Sequence, residues 1–314
     1  MTFIPEQVEL YKYWISEREG IRVCKEYYKD KPPWTEDEIL RKFKFCQVYR
    51  EDDRTTRWLR THIRDPLKDK PEVFMATVIF RWFNLIETGR TLLDNNLHIE
   101  WDREKAIELI RVQPKWITGA YIIKTPNRMD KVTGVAESIT HMWNAKDYIL
   151  EQLYKYKEQD GGSLQKAWEL IKEYPYMGPF MAYEVVTDLR FTHLLNEATD
   201  ICSWANAGPG AMRGLNRLTG RELTFSKRSH DWNSEMQELY DIVKVNNHNW
   251  WVLNKGMYDL KHNFEMREVE GGLCEFDKYS RILNEEGRTR SIYKHNKHLP
   301  IVEDIEEGES IWAK

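Results

Sequence analysis

Apolar side chains recur at helical spacing along most of the chain. Four of them follow Pro5 in this way, and proline is tolerated in a first helical turn: Val8, Tyr11, Trp14 and Ile15. The stretch 71–87 repeats the pattern and is predicted to form a central, mostly buried helix. Further helices are predicted at 103–112, 135–156, 164–173, 179–189, 212–218 and 235–245. The pattern therefore predicts an all-α fold.

Three segments refine this picture. Thr35 and Glu38 have the spacing of a capping box, which predicts a helix from about residue 36 with Cys46 on its apolar face. The stretch 116–123 is β-branched and aromatic, so it is predicted to be a strand or an extended pocket wall. Residues 284–314 are polar and are predicted to form a surface tail or a lid.

Composition narrows the class of protein. The chain has 314 residues, a net charge of −4 and 41% hydrophobic residues, which excludes disorder for most of its length. No apolar run approaches the roughly 20 residues of a membrane helix, and the start lacks a secretory pattern, so we expect no membrane partner and a cytoplasmic location. The four cysteines include no CxxC pair, which argues against a structural zinc or a cysteine-ligated cluster. No metal-binding residues are predicted.

The most informative segment is a turn between two predicted helices. In YPYMGPFMA (174–182), Pro175 ends one helix, Gly178 permits a close turn and Pro179 suits the start of the next helix. The segment 164–190 resembles the helix-hairpin-helix of DNA glycosylases. That resemblance implies DNA contacts by the hairpin residues Tyr176, Met177, Gly178 and Phe180.

An acid and a second helix follow at the spacing of those glycosylases. Asp200 lies 22 residues after Gly178, where the resemblance places a catalytic aspartate. MRGLNRL (212–218) resembles the helix that follows this acid, so Arg213 and Arg217 are expected to face DNA phosphates. Tyr176 departs from the pattern, since it replaces the first glycine of the hairpin. Phe180 stands where bifunctional glycosylases keep a lysine, so a lyase reaction is unsupported.

Four further blocks are similar to a phage-associated family built on this helical fold: FKFCQVYREDDRTTRWL (43–59), FRWFNLIETGR (80–90), TGAYII (118–123) and LCEFDKYSR (273–281). That family comprises the alpha-glutamyl/putrescinyl thymine pyrophosphorylases and the helical domain of 5-hydroxymethyluracil DNA kinases. The resemblance implies a helix-hairpin-helix, glycosylase-like domain over 1–283, with two packed helical lobes around a central cleft that holds DNA. The printed sequence contains no GxxxxGK[ST] motif, so a phosphorylating role lacks its chemistry.

The resemblance implies an enzyme that acts on thymine-derived bases in phage DNA, in the cytoplasm of the host cell. Its reaction is a transfer in which an amine, from an amino acid or a polyamine, replaces pyrophosphate on 5-pyrophosphoryloxymethyl-deoxyuridine. Such a reaction requires base flipping, cations for the leaving pyrophosphate and an acceptor for a proton. The sequence leaves open whether Mg²⁺ assists pyrophosphate release. Two alternatives remain: a monofunctional DNA glycosylase and a non-catalytic DNA-binding module.

Asp200 is the first candidate for the base, or for the group that stabilises positive charge as the leaving group departs. Its alternative role is to cap the helix that follows it. Four cations are candidates for gripping pyrophosphate, with Asp53 orienting the first of them: Arg54, Arg57, Lys124 and Arg128. For each of these, a solvated surface rich in ion pairs is the alternative.

Two cysteines and an aromatic group complete the candidate residues. A thiolate of Cys202 or Cys46 would add to C6 of the pyrimidine and help to expel the 5-methylene substituent; the alternative is a buried, inert thiol. Tyr121, on the predicted pocket wall, and His248, beside Trp250 and Trp251, are candidates for lining the base pocket.

Overall fold

The computed structural model of the chain describes residues 3–121, 123–254, 262–287 and 292–293, and within 245–254 it describes the backbone alone. These residues contain thirteen α-helices: α1 Pro5–Arg22, α2 Glu38–Lys42, α3 Arg54–Leu59, α4 Asp65–Leu67, α5 Glu72–Phe83, α6 Ile86–Asp94, α7 Arg103–Arg111, α8 Lys131–Asp160, α9 Leu164–Lys172, α10 Gly178–Leu189, α11 Pro209–Thr219, α12 Trp232–Asn254 and α13 Met266–Leu283. Short π-helical turns, Val23–Tyr27 and Arg60–Arg64, continue α1 and α3, and Arg50–Asp52 forms a 3₁₀ turn.

The all-α class is confirmed. The described residues contain no β-strand, and their single isolated bridge pairs Phe43 with Ile292. The strand predicted within 116–123 is therefore wrong for the part of that segment that is described. Thr118 instead donates its backbone N–H to the carbonyl of Phe83 at 2.9 Å, which ties this irregular segment to the end of α5.

The predicted capping box is also wrong. Asp37, not Thr35, caps the short helix α2, and its carboxylate accepts the backbone N–H groups of Ile39 and Leu40. The Thr35 hydroxyl donates instead to Glu17 at 2.6 Å. The helix ends at Lys42 because Phe43 is extended, so Cys46 lies beyond it.

The chain divides into two compact units. The first unit comprises residues 1–53 and 202–300. The second unit comprises residues 54–201 and 301–314, and the segment 301–314 lies outside the described residues. Because the first unit is discontinuous, no single linker separates the units, which explains the absence of a boundary signal in the sequence. The predicted cleft between lobes stays a prediction.

The second unit is built around α5. Every residue of α5 after Glu72 is buried, and the helix packs against α6, α8 and α10. It ends at Asn84, whose backbone is left-handed with φ 42°, and α6 begins two residues later. The helix predicted over 71–87 is therefore two helices.

The first unit is built around α13, which packs against α1, α11 and α12. Two glycines of α11 allow this helix to pack closely against α13. A Cβ atom on Gly210 would lie 2.3 Å from the Cys274 sulfur, and one on Gly214 would lie 2.4 Å from the Leu273 carbonyl oxygen. Because the neighbour of Gly214 is backbone, only glycine fits there without moving one of the two helices.

Within the described part of the chain, no helix combines the length and the apolar character that crossing a membrane requires.

Candidate functional site

The predicted turn between α9 and α10 is present, and its backbone has the geometry of a tight hairpin. Tyr176 has φ 65° and Gly178 has φ 56°, so both residues lie in the left-handed region, and Met177 between them is buried. A Cβ atom on Gly178 would meet nothing within 4 Å, so its backbone faces open space. The hairpin thus presents backbone and the exposed Tyr176 side chain outward.

The indole of Trp168 ties the two helices of the hairpin together. Its Nε1 donates to the carbonyl oxygen of Pro179 at 2.9 Å, which joins α9 to the first turn of α10. The Lys172 ammonium lies 4.0 Å from the centre of the same indole ring. Aromatic rings attract cations at such distances, so the lysine is held beside the hairpin.

An aromatic pair and a carboxylate meet on the face of α10 next to the hairpin. The Tyr121 ring packs edge-on against Phe180, with 4.9 Å between ring centres and 89° between ring planes. The Tyr121 hydroxyl donates a hydrogen bond to Oε2 of Glu184, one helical turn after Phe180. The Glu184 side chain is buried, whereas Tyr121 is partly exposed. The structure therefore brings together Tyr121 and Phe180, which the sequence predicted for separate tasks.

One turn further along α10, Asp188 forms a buried ion pair with Arg81 of α5. Nη2 of Arg81 lies 3.0 Å from Oδ1 of Asp188, and a second contact joins Nε to Oδ2. The same guanidinium donates to Asn84 at 2.9 Å and to Thr56 of α3 at 3.0 Å. A buried charge pair with this many hydrogen bonds fixes α5, α3 and α10 in one arrangement.

Sequence reasoning missed Arg81, Asn84, Glu184 and Asp188. The sequence does contain a signal for the three charged residues among them. Arg81 is the only charged residue within the apolar run of α5, and Glu184 and Asp188 are the only charged residues in α10. Charges placed in otherwise buried helices must be paired, so these positions mark a buried polar network. Their partners could not be read from the sequence, since Arg81 and Asp188 are 107 residues apart.

The predicted pyrophosphate ligands fall on two segments. Arg54 and Arg57 lie on α3, exposed and partly exposed respectively, on the helix whose Thr56 contacts Arg81. Lys124 and Arg128 are exposed on the segment that follows Tyr121, and Arg128 has φ 70°. Within the described residues, no contact joins Lys124 or Arg128 to α10, so their role stays a prediction.

Asp200 has a different setting from the one that its spacing predicts. Its carboxylate accepts the Leu164 N–H at 2.7 Å, the Gln165 N–H at 2.9 Å and the Ser163 hydroxyl at 2.7 Å. It therefore caps α9, which precedes it, and not the helix that follows. Since α9 has nine residues, about 13 Å of helix separates this carboxylate from the hairpin at the other end. The alternative role of capping the following helix is therefore wrong, and the catalytic role of Asp200 stays a prediction.

The Asp53 carboxylate contacts a backbone N–H group, and not the side chain of the neighbouring Arg54 that the sequence predicted. Its Oδ1 accepts the backbone N–H of Gln47 at 3.0 Å, and burial raises its pKa to about 6. No contact among the described residues links its carboxylate to Arg54, so the predicted orienting role is not supported.

The two cysteine candidates lie in different surroundings. The negative charge of Glu275 and burial raise the pKa of the Cys46 thiol well above its usual value, and Glu275 also accepts the Cys46 backbone N–H at 3.1 Å. A thiol with a raised pKa is a poor nucleophile at neutral pH, which argues against the predicted role of Cys46. Cys202 is exposed beside Tyr240, whose phenol pKa is raised by burial and by hydrogen bonding to Cys202.

Arg213 and Arg217 bind protein carboxylates. Both guanidiniums contact the fully buried Asp277 of α13, at 2.8 Å and 2.9 Å, and Arg217 also contacts Glu286 at 2.6 Å. These ion pairs join α11 to α13, so the expectation that both arginines face DNA phosphates is wrong for Arg217, which is buried. Arg213 remains partly exposed.

His248 and the neighbouring Trp250 and Trp251 lie in the part of α12 whose side chains are outside the described residues. Their predicted place in a base pocket stays a prediction. Among the side chains that are described, no group of three His, Cys, Asp or Glu residues could hold a metal ion.

Comparison with known proteins assigns the chain to a family. The family model described as "5-hmdU DNA kinase, helical domain" matches residues 5–289, and the chain belongs to this family. One relative is the 5-hmdU DNA kinase of Bacillus phage SP10, which is 24% identical over a region covering 86% of this chain and 44% of the relative. The chain thus corresponds to less than half the length of that kinase. No solved structure matches the chain.

Proposed function

We propose that this protein modifies a thymine-derived base in phage DNA, replacing the pyrophosphate of 5-pyrophosphoryloxymethyl-deoxyuridine with an amine. The observation that carries the proposal is the family match over residues 5–289, because that family's name refers to 5-hmdU DNA. The similarity of its four blocks to the thymine pyrophosphorylases supports the amine-transfer step.

The reaction forms one bond and breaks another at the 5-methylene carbon. The amine nitrogen attacks this carbon, and the carbon–oxygen bond breaks with its electron pair leaving on pyrophosphate. The new nitrogen centre then loses a proton. The site must therefore supply a proton acceptor, a surface that holds the base outside the duplex and positive charge near the leaving group.

Glu184 is the proton acceptor in this proposal. Its carboxylate lies on the α10 face that leads from the hairpin, and the Tyr121 hydroxyl fixes its orientation. The rings of Tyr121 and Phe180 supply an aromatic surface beside the carboxylate, on which a pyrimidine can stack. Asp200 keeps the structural role of capping α9, which its three hydrogen bonds support.

Arg81 and Asp188 are positioning residues in this scheme. Their buried pair holds α10 against α5, so the turn that carries Glu184 cannot shift without breaking it. Arg57, on the helix anchored through Thr56, is the candidate ligand for the leaving pyrophosphate, with Arg54 at the exposed start of the same helix.

The test uses the three outcomes that the candidate activities give. DNA containing 5-pyrophosphoryloxymethyl-deoxyuridine is incubated with the protein and a mixture of amino acids and polyamines, then digested to nucleosides for mass spectrometry. A nucleoside carrying an amine on the 5-methylene, with one pyrophosphate released per nucleoside, is the expected result. Abasic sites would show a DNA glycosylase instead, and binding without any product would show a DNA-binding module.

A further inference from the structure

Tyr176 combines three properties that packing does not explain. It adopts a left-handed backbone with φ 65°, its side chain is 42% exposed, and it lies at the apex of the hairpin between α9 and α10. Among the described residues, its side chain makes no hydrogen bond, ion pair or ring contact. An aromatic residue in this conformation is less stable than glycine would be, because its Cβ crowds the backbone.

Phe180 lies on the other side of Gly178 and is 44% exposed. Its ring makes an edge-to-face contact with Tyr121. Two large aromatic side chains therefore lie two residues before and two residues after Gly178, where the backbone is open. Soluble proteins seldom expose clustered aromatic rings without a binding partner.

We propose that Tyr176 and Phe180 form an aromatic edge that stacks on unstacked nucleobases of DNA. The inference rests on the proposed function for the identity of the ligand as DNA, and it assigns the hairpin a second mode of contact. A hairpin with glycine at both turn positions binds phosphates through its backbone alone. Tyr176 in place of the first glycine adds a ring, and every nucleobase offers a flat face to such a ring.

This mode of binding fits an enzyme that must hold a nucleotide outside the duplex. Extruding a base leaves its neighbours partly unstacked, and aromatic side chains replace the lost stacking. The edge leads directly to Tyr121 and Glu184, where the proposal for the reaction places the extruded base. The aromatic edge therefore predicts tighter binding to single-stranded or mismatched DNA than to a perfect duplex.

The test measures binding of oligonucleotides with unmodified bases by fluorescence anisotropy, so it does not depend on the transfer reaction. For Tyr176→Gly we expect a thermal midpoint that is equal to or above that of the original protein, because the backbone strain is relieved. We expect affinity for single-stranded DNA to fall about tenfold, with an unchanged salt dependence because no charge is removed. Tyr176→Phe keeps the ring and should keep the affinity.

Asn96→Gly is the matched control. Asn96 is also exposed, uncharged and left-handed, with φ 59°, and it lies in the same unit. This variant should relieve strain without changing DNA affinity. Unchanged affinity in either Tyr176→Gly or Phe180→Leu would overturn the proposed stacking, and so would an equal fall in affinity in Tyr176→Phe.

The two proposals fail separately. If the original protein makes the aminated nucleoside and Tyr176→Gly binds DNA normally, the aromatic edge is wrong while the proposed function stands. If no aminated nucleoside forms and Tyr176→Gly still loses affinity, the aromatic edge stands and the transfer reaction is wrong.

Discussion

The carboxylate of Asp200 lies 2.7 Å from the backbone nitrogen of Leu164, across 36 residues of sequence. This contact places the acid at the first turn of α9, where the helix dipole and unpaired N–H groups favour a negative charge. Ser163 is the N-cap residue of the same helix, so two side chains share the task of closing its N-terminus. The acid selected by its spacing from the hairpin thus stabilises the hairpin's first helix from its far end.

Replacing Asp200 should affect the free energy of unfolding more than the rate of amine transfer. Asp200→Ala removes three hydrogen bonds at the start of α9, and we expect the free energy of unfolding to fall by about 1–2 kcal/mol. Urea denaturation measures this change. Asp130→Ala, which removes a cap of α8 in the same unit, is the control and should show a similar loss.

The less disruptive Asp200→Asn separates structure from catalysis. Its amide oxygen still accepts a hydrogen bond, so the folded protein should retain amine transfer within a few fold of the original rate. A loss of transfer of 100-fold or more in a fully folded Asp200→Asn protein would return the catalytic role to this residue.

Two glycines of the first unit should respond in opposite directions to alanine. At Gly214 a Cβ atom would meet the Leu273 carbonyl at 2.4 Å, so Gly214→Ala must separate α11 from α13 and should destabilise by about 3 kcal/mol. At Gly271, on α13, a Cβ atom meets nothing within 4 Å, so Gly271→Ala should stabilise by up to about 1 kcal/mol through helix propensity. Thermal and urea unfolding of both variants check this pair. Equal effects of the two substitutions would contradict the close packing of α11 on α13.

Glu268 should make stability depend on pH. Burial raises its pKa from 4.5 to about 7, and the negative charges of Glu265 and Glu51 add to this effect against the opposing Arg267. The folded state therefore holds this proton more tightly than the unfolded state. The stabilising contribution of the proton is complete below pH 4.5 and is lost as pH rises through about 7.

The variant Glu268→Gln isolates this effect. Glutamine resembles the protonated acid and can still accept the Glu265 backbone N–H, so it preserves the capping box at the start of α13. We expect its unfolding free energy to gain on that of the original protein steadily between pH 4.5 and pH 8. Glu158→Gln, at an exposed position, should show no such trend. A constant difference across this range would refute the raised pKa of Glu268.

The helices of this fold were predictable where one apolar face repeats over several turns. The pattern located α1, α5 and α7 to within a few residues at the N-terminal end. It missed α13, whose adjacent Gly271 and Gly272 weaken the helical pattern. A Cβ atom on Gly272 would lie 2.6 Å from the Tyr11 hydroxyl, so this glycine reflects packing against α1. Such a requirement depends on a contact between distant segments, which a local pattern does not contain.

The candidate site was predictable only in part for the same reason. The positions of proline and glycine predicted the hairpin, and they therefore placed Tyr176 and Phe180 within it. The pairing of Tyr121 with Glu184 spans 63 residues and depends on how the segment after Trp116 lies against α5 and α10. Spacing and the resemblance of the following helix predict Asp200 as the base, but neither specifies which end of α9 its carboxylate contacts.

The most direct test of the central claim compares the original protein with Glu184→Gln and Tyr121→Phe in the nucleoside assay. The account predicts an aminated nucleoside and equimolar pyrophosphate from the original protein. Glu184→Gln should be slower by 100-fold or more at unchanged DNA affinity, because general base catalysis of this kind contributes about 10²–10⁴-fold. The transfer rate of Tyr121→Phe should lie between that of the original protein and that of Glu184→Gln. An aminated nucleoside formed at the original rate by a folded Glu184→Gln protein would contradict the assignment of the site, and the absence of any aminated nucleoside from the original protein would contradict the proposed reaction.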